Sequence, residues 1–269
     1  NNIILNFKKN GYKIYLCKSC SLQFVYPQPS DKELENIYTE SYFNRGNKYS
    51  KTNYVNIKND QKKLSIIKKN TLKGKLLDVG CAKGDFLLLA KDSGFDVSGV
   101  EISKEACESA TSKKLRVYNS DLLSKNFDSN YFDVVTMWDV IEHLKNPKQI
   151  IDEIHRILKP GGLIYFSTGD ISSKYARISG NYWHLLTPPQ HLFYFSPMSI
   201  KSLLGDKQFS FKELIYDGKY VTLGFLLFKA EETFGKIISP FSYIINTLRL
   251  DNIFIKINLF DIFIGIWKK

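Results

Sequence analysis

The sequence predicts an α/β protein built on a doubly wound, mostly parallel sheet, and three observations carry that prediction. The first is Lys75–Asp85, which reads Lys-Leu-Leu-Asp-Val-Gly-Cys-Ala-Lys-Gly-Asp: a strand, a turn of small residues at Gly80, Ala82 and Gly84, then the start of a helix. Such a turn lets a ligand lie against the backbone and the helix N-terminus. The second is Asp96–Glu101, another strand pattern, which ends on an acid about 20 residues beyond the turn. Doubly wound folds place a carboxylate there to accept from ribose hydroxyls. The third is the regular alternation of strand and helix patterns from Lys75 to Asp217, the rhythm of a parallel sheet.

The elements follow in order. Tyr12–Cys17 and Leu22–Tyr26 read as strands on either side of a Cys17-Lys-Ser-Cys20 turn. Ser30 with Glu33 three residues on is a capping box, which predicts a helix through Tyr38. A helix is expected over Asn53–Asn70, with Ile57, Leu64, Ile66 and Ile67 inward and Lys58, Lys62, Lys63, Lys68 and Lys69 on a solvated outer face. Strands are expected at Leu76–Val79, Val97–Val100, Arg116–Asn119, Val134–Met137, Leu163–Ser167 and Phe211–Tyr216. Helices are expected at Phe86–Ser93, Lys104–Lys113, Gln149–Leu158 and Ser199–Leu204, the last opened by Ser196-Pro197 as cap and first turn. Residues 219–258 form an apolar and aromatic insertion, expected as two or three helices, and Phe260–Trp267 reads as a closing strand. The expected organisation is an extension over 1–50, a core over 51–218 that includes a lid at 170–197, the insertion, and the closing strand over 259–269.

With 43% hydrophobic and 24% charged residues, the composition is that of an ordinary globular protein. Apolar runs stay short of the ~18 residues that a spanning helix needs. No secretory leader pattern is present, and four cysteines do not make a disulfide scaffold, so a cytoplasmic location is expected. The net charge of +11 is compatible with a nucleic acid, an anionic membrane face contacted peripherally, or an anionic substrate. Arginines do not cluster with aromatics as base stacking would require, so a nucleic-acid partner is not expected.

Five motifs in order, Asp78-Val-Gly-Cys-Ala-Lys-Gly84, Glu101, Asp121, Phe132-Asp-Val-Val with Asp139-Val-Ile-Glu-His-Leu144, and Leu158-Lys-Pro-Gly-Gly162, resemble the class I S-adenosylmethionine-dependent methyltransferases over roughly residues 74–217. The resemblance implies a Rossmann-like sheet of seven strands whose last strand, Phe260–Trp267, tucks antiparallel beside Phe211–Tyr216. It also implies S-adenosyl-L-methionine as cofactor. Asp78, Gly80, Cys81, Ala82 and Gly84 would hold the methionine half, and Glu101 the ribose. Asp121 would take the adenine amino group, with an N-cap as the alternative, and Ile102 and Leu122 would sandwich the ring. Trp138 and Asp139 complete the expected cofactor set. Ala82 stands where the family usually has a glycine, which narrows the turn. The fuller Gly-x-Gly-x-x-Gly fingerprint of pyrophosphate binders is absent, which favours methyl over hydride transfer.

Four histidines are candidates for removing a proton from the acceptor: His143, His155, His184 and His191. His155 lies within the amphipathic run Ile151–Leu158 and reads as a surface or packing residue. Trp183–Ser196 resembles the lid signature of bacterial methyltransferases associated with sugar, capsule and surface-glycan pathways. His191 matches the histidine of that signature and is expected to be the general base, with His184 and Tyr194 in reserve. Asp139, Glu142 and His143 match the acid-x-x-Glu-His arrangement that can bind a divalent metal in quinone-ring O-methyltransferases, although the same string occurs in relatives without metal. Cys17 and Cys20 supply half the ligands of a zinc ribbon, so a structural zinc requires a second pair upstream. The expected function is methyl transfer to a sugar or glycan-linked small-molecule acceptor in surface polysaccharide biosynthesis. The alternatives are a small-molecule, quinone-type O-methyltransferase and a nucleic-acid-binding protein on the same scaffold.

Overall fold

The computed structural model describes residues 2–37, 53–205, 209–234, 240, 243, 245, 247–248 and 250–269. It opens with β1 (Ile3–Lys9), β2 (Tyr12–Cys17), β3 (Gln23–Val25) and helix α1 (Asp31–Ile37). The Ser30 capping box forms as expected: the Glu33 carboxylate accepts from the Ser30 N–H at 2.8 Å, and the Ser30 hydroxyl accepts from the Glu33 N–H at 3.3 Å. Helix α2 (Asn53–Lys68) leads into the core, which runs β4 (Gly74–Val79), α3 (Asp85–Asp92), β5 (Phe95–Glu101), α4 (Lys104–Ser112), β6 (Val117–Asn119), α5 (Leu122–Lys125) and β7 (Phe132–Trp138). There follow α6 (Pro147–Ile157), β8 (Leu158–Gly169), α7 (Lys174–Ser179), β9 (Phe193–Tyr194), α8 (Pro197–Leu204) and β10 (Ser210–Ile215). The chain ends with β11 (Lys219–Thr222), α9 (Leu223–Phe234), β12 (Phe254–Ile257) and β13 (Ile262–Lys268).

Seven strands form the central sheet in the order β10-β13-β8-β7-β4-β5-β6. Strand β13 is antiparallel to both of its neighbours, as the resemblance implied, with Ile262 opposite Gly169 and Ile264 opposite Ile215. Each face of the sheet buries a helical layer. On one side Ile150, Ile154 and Ile157 of α6 and Ile200 and Leu204 of α8 pack on Val135, Ile164 and Phe166. On the other, Leu64 and Ile67 of α2 and Phe86 and Leu87 of α3 pack on Leu76, Val134 and Tyr165. Ile154, Ile67 and Leu87 have no exposed surface, and full burial of such side chains favours folding by about 1.5–3 kcal/mol each. This double cover leaves the C-terminal ends of β4, β5 and β7 as the edge where ligands bind in such sheets.

Two parts differ from expectation. The insertion, expected as two or three helices, contains helix α9, but its ends pair as strands, Lys219 opposite Ile257 and Thr222 opposite Phe254. The β-branched Val221, Ile255 and Ile257 account for the pairing. The N-terminal extension does not stand apart from the lid. Strand β3 pairs with β9, Gln23 opposite Tyr194, and Ile14 and Val25 share a small core with Trp183, Leu186 and Tyr194 of the lid. Tyr38 and the end of the first expected helix lie outside the described residues.

Candidate active site

The turn after β4 uses left-handed backbone at three positions: Gly80 (φ 71°), Ala82 (φ 47°) and Gly84 (φ 76°). A Cβ on Gly80 would stand 2.7 Å from a Val140 methyl, so that position requires glycine. Ala82 accepts the conformation at a cost of about 1–2 kcal/mol. Its N–H donates to one Glu101 oxygen at 2.9 Å, and the Ser103 N–H donates to the other at 2.8 Å. Glu101 thus ties the turn to the end of β5 while buried, and each of its oxygens keeps a lone pair for a hydroxyl donor.

For Asp121 the N-cap alternative is realised. Its oxygens accept from the Ser124 N–H at 2.8 Å and the Ser124 hydroxyl at 2.6 Å. Burial pushes this carboxyl up, but those hydrogen bonds outweigh it and hold it below the usual range. The expected sandwich of Ile102 and Leu122 is not preformed. Leu122 is spent on the core, at 2% exposed, whereas Ile102 is 64% exposed and offers the apolar face.

A cavity of about 520 Å³ opens beside the turn. Its floor is Asp78, Gly80, Cys81 and Ala82, and its walls include Phe86, Trp138 and Asp139. Asp78 is buried and accepts from the Thr136 hydroxyl at 2.6 Å; burial pushes its carboxyl up to about 7. Asp139 accepts from the Ser167 hydroxyl at 2.6 Å and from Lys219 Nζ at 2.8 Å. Burial raises its pKa, but the charges of Lys219 and Lys63 prevail and hold it well below the ordinary carboxylate range.

The remaining walls come from α2 and β11, which sequence reasoning missed. Lys63 was expected on a solvated face. Instead it lines the cavity, bonds Asp60 at 2.9 Å and lies 5.2 Å from the centre of the Trp138 ring. Lys62 turns to the Asp217 carboxylate at 2.8 Å. A signal was present: Lys63 lies four residues before the fully buried Ile67, on the inward stripe of the helix. Nothing in the sequence announced Lys219 as the partner of Asp139, because the two lie 80 residues apart.

The lid histidines take positions different from those expected. None of His184, His191 and Tyr194 is among the described residues that line the cavity. His184 Nδ1 lies 3.5 Å from the Asp261 carboxylate, which also accepts from the Trp183 indole at 2.8 Å. Tyr194 has a buried hydroxyl without a hydrogen-bond partner, and burial drives its pKa far up, which removes it as a base near neutrality. His191 Nδ1 lies 2.8 Å from the Leu185 carbonyl. Burial, then the neighbouring His143, lower its pKa to about 3, so the ring is neutral and weakly basic. His191 instead meets His143 edge to face, ring centres 4.7 Å apart, beside the buried Glu142.

Cys17 and Cys20 are free thiols in the turn between β2 and β3, and among the described residues no third metal-ligating side chain joins them. Backbone N–H groups of Cys20 and Ser19 hold the Cys17 thiol below its usual range, whereas burial raises that of Cys20. Among the described residues no helix is long and apolar enough to cross a membrane.

A small-residue turn after the first parallel strand, a buried acid at the end of the second, and a cavity against both define the nucleotide-side architecture of a class I S-adenosylmethionine-dependent methyltransferase domain. Residues 53–213 match the family described as "Methyltransferase domain", and the chain belongs to that family. It is 33% identical over 110 residues to a ubiquinone biosynthesis O-methyltransferase of Thiobacillus denitrificans, a match covering 37% of this chain and 46% of the relative. The chain therefore spans about half the length of the curated relatives it matches. Among solved structures it resembles a SAM-dependent methyltransferase from Archaeoglobus fulgidus, with 20% identity, TM-score 0.57, and 86% of this chain and 100% of that one covered. It also resembles a phosphoethanolamine N-methyltransferase from Haemonchus contortus in complex with S-adenosylmethionine, with 18% identity, TM-score 0.55, and 92% and 62% covered. At such identities the structural likeness carries the fold alone.

Proposed function

We propose that this protein transfers the methyl group of S-adenosylmethionine to the hydroxyl of a small, largely apolar acceptor of the quinone-precursor kind. The observation that carries this reading is the outer part of the cavity, which Val55, Tyr220, Val221 and Phe225 line together with Phe86 and Trp138. Aromatic and aliphatic walls suit a flat ring, Asn56, Asn59 and Lys63 in the same lining suit its hydroxyls, and the names of the relatives point the same way. The sugar or glycan acceptor expected from the lid signature draws no support from those relatives, and the lid does not line the cavity.

The cofactor is an activated sulfonium, so the reaction is an in-line displacement. The acceptor oxygen would gain the methyl group as the carbon–sulfur bond breaks, the hydroxyl proton would pass to water, and a neutral thioether would remain. Positioning is then the main task, worth about 7–11 kcal/mol when geometry is right. In this reading Glu101 orients the ribose and Asp78 the methionine ammonium, which together aim the methyl group across the Trp138–Asp139 wall.

The test is to incubate the protein with labelled S-adenosylmethionine and two acceptor panels, catechol-bearing aromatics and nucleotide sugars, and to locate the label by mass spectrometry. Label on a ring hydroxyl is expected. Label confined to the sugars would sink the aromatic reading while leaving the methyltransferase assignment intact.

A further inference from the structure

The cavity offers an acceptor hydroxyl cations but no group suited to take its proton. No histidine is among the described residues that line it, and its carboxylates are already engaged. Asp139 holds the Ser167 hydroxyl on one oxygen and Lys219 on the other. Asp60 accepts from Lys63 at 2.9 Å, and Asp85 turns to Lys113 at 2.5 Å. Asp78 accepts from the Thr136 hydroxyl and is committed to the methionine ammonium in the reading above. Burial pushes the Cys81 thiol far up, so it too stays protonated near neutrality.

Lys63 and Lys219 reach this space from the two segments that complete its walls, α2 and β11. An ammonium carries three N–H donors. Among the described residues Lys219 spends one on Asp139 at 2.8 Å and Lys63 one on Asp60, which leaves donors on both for a ligand. Lys63 lies 5.2 Å from the centre of the Trp138 ring, and its charge acts on Asp139 together with that of Lys219. The two cations thus serve one stretch of wall, Trp138–Asp139. The Ser167 hydroxyl fixes Asp139 there, accepting from its N–H at 3.0 Å and donating to its carboxylate at 2.6 Å. Lys219 faces Asp139, Glu142 on the turn after β7, Asp261 ahead of β13, and Lys62 of α2. Burial lowers its pKa, but the three acids, Asp139 first, prevail and hold it above the usual range. Lys63 faces Asp60, Asp78 and Asp139.

We propose that Lys63 and Lys219 hold the acceptor as an oxyanion, so that the acceptor class is a phenol, catechol or enol and not an alcohol. The inference rests on the methyl-transfer reading of this cavity. A cation within about 4–6 Å lowers the pKa of an acid by ~1–3 units. A phenol that titrates near ~10, as tyrosine does, is thereby brought towards neutrality. An alcohol, closer to water at ~15.7, is not. The hydroxyl proton leaves to water as the acceptor ionises beside the lysines. A lone pair of the oxyanion then forms the bond to the methyl carbon, the carbon–sulfur pair withdraws onto sulfur, and no side chain has to act as a base. A sugar hydroxyl is an alcohol, so this chemistry selects against the glycan acceptor on grounds independent of the relatives.

The test uses the full chain saturated with the demethylated cofactor and a probe, 3,4-dihydroxyacetophenone, a catechol whose near-ultraviolet absorption moves when it ionises. Titrated beside the free probe, the bound catechol should ionise ~1–3 pH units lower. Lys219→Met and Lys63→Met remove one charge each and keep an apolar stem, and each should cut that shift. Lys219→Arg should keep most of it. Thermal melts establish that each variant is folded. A bound probe that ionises where the free one does, or a shift that survives both methionine variants, overturns the role of the lysines and leaves the aromatic acceptor reading standing. A folded protein that binds the demethylated cofactor but no catechol overturns that reading and this inference with it. Failure to bind the demethylated cofactor overturns the methyl-transfer reading on which both stand.

Discussion

Replacing Asp78 by Asn tests the assignment of the methionine ammonium through its pH dependence. Asp78 is 2% exposed, and burial pushes its carboxyl up to about 7 against the opposing hydrogen bond from Thr136. At about pH 6 the free protein therefore holds Asp78 mostly protonated, while an ammonium ligand requires the carboxylate. Ionising the group one pH unit below its pKa costs ~1.4 kcal/mol, which is about tenfold in affinity. Binding should thus weaken about tenfold per unit as pH falls below 7 and level off above it. Calorimetry with the demethylated cofactor between about pH 5 and 7 reads this slope in a window below the ~7.7–8.0 titration of an α-amine. Asp78→Asn should bind weakly at neutrality and show no slope. A flat wild-type profile, or the wild-type slope persisting in the variant, would refute the assignment.

Glu142 is pushed up to about 8 by burial and then by the charge of Asp139, so the folded chain binds a proton there that the unfolded chain releases near 4. Stability from this group is full below about pH 4 and is lost as pH rises through 8. Asp78 acts with the same sign up to about 7, whereas buried neutral His143 and His191 add stability as pH rises to about 6.5. The melting temperature should therefore decline between about pH 7 and 8.5, with a shallower decline in Glu142→Gln; equal slopes would count against the buried acid. Ala82→Gly should relieve the left-handed backbone at φ 47° and stabilise the chain by about 1 kcal/mol in chemical denaturation, and a destabilised variant would contradict that strain. Glu101→Gln keeps one acceptor but sets an amide against the N–H of Ala82 or Ser103. It should cost about 1–3 kcal/mol of stability and weaken cofactor binding by about 1.5–3 kcal/mol, and unchanged calorimetric affinity would remove Glu101 from the ribose site.

The parts of the fold legible in the sequence are those fixed by local chemistry. The Ser30 and Ser196 caps, the small-residue turn after β4, and the apolar stripe of α6 each follow from residues within one or two turns of chain. What escaped depends on partners far apart. Strand β3 pairs with β9 because Phe24 and Phe193 are brought into register across 169 residues, and no local pattern encodes that. The lysines of α2 looked uniform in sequence. Charge alone did not distinguish Lys63, which turns into the cavity, from the other lysines of the helix, although its spacing from Ile67 did. The surroundings of His191 could not be read locally: it is buried against His143, which lies 48 residues earlier in the chain, and burial with that neighbour lowers its pKa to about 3.

The origin of the cavity walls bears on where acceptor choice resides. Asn59 of α2 and Tyr220 of β11 are joined by a two-point clamp: the Asn59 amide donates to the Tyr220 carbonyl at 3.0 Å and accepts from the Tyr220 N–H at 2.9 Å. Lys62 and Lys256 both reach Asp217 at 2.8 Å, adding a second tie between α2 and the β11–β12 pair. Helix α2 precedes the parallel core and β11 follows it, and the core anchors both, through Leu64 and Ile67 packed on the sheet and through Lys219 bonded to Asp139. The lid 170–197 instead packs with the N-terminal sheet, and its His191 lies beside Glu142 and His143. The α2–β11 clamp shapes the volume beside the turn, so substitutions at Val55, Tyr220 or Phe225 should shift which acceptor is used. An unchanged acceptor profile in all three variants, read on the same two acceptor panels, would refute that.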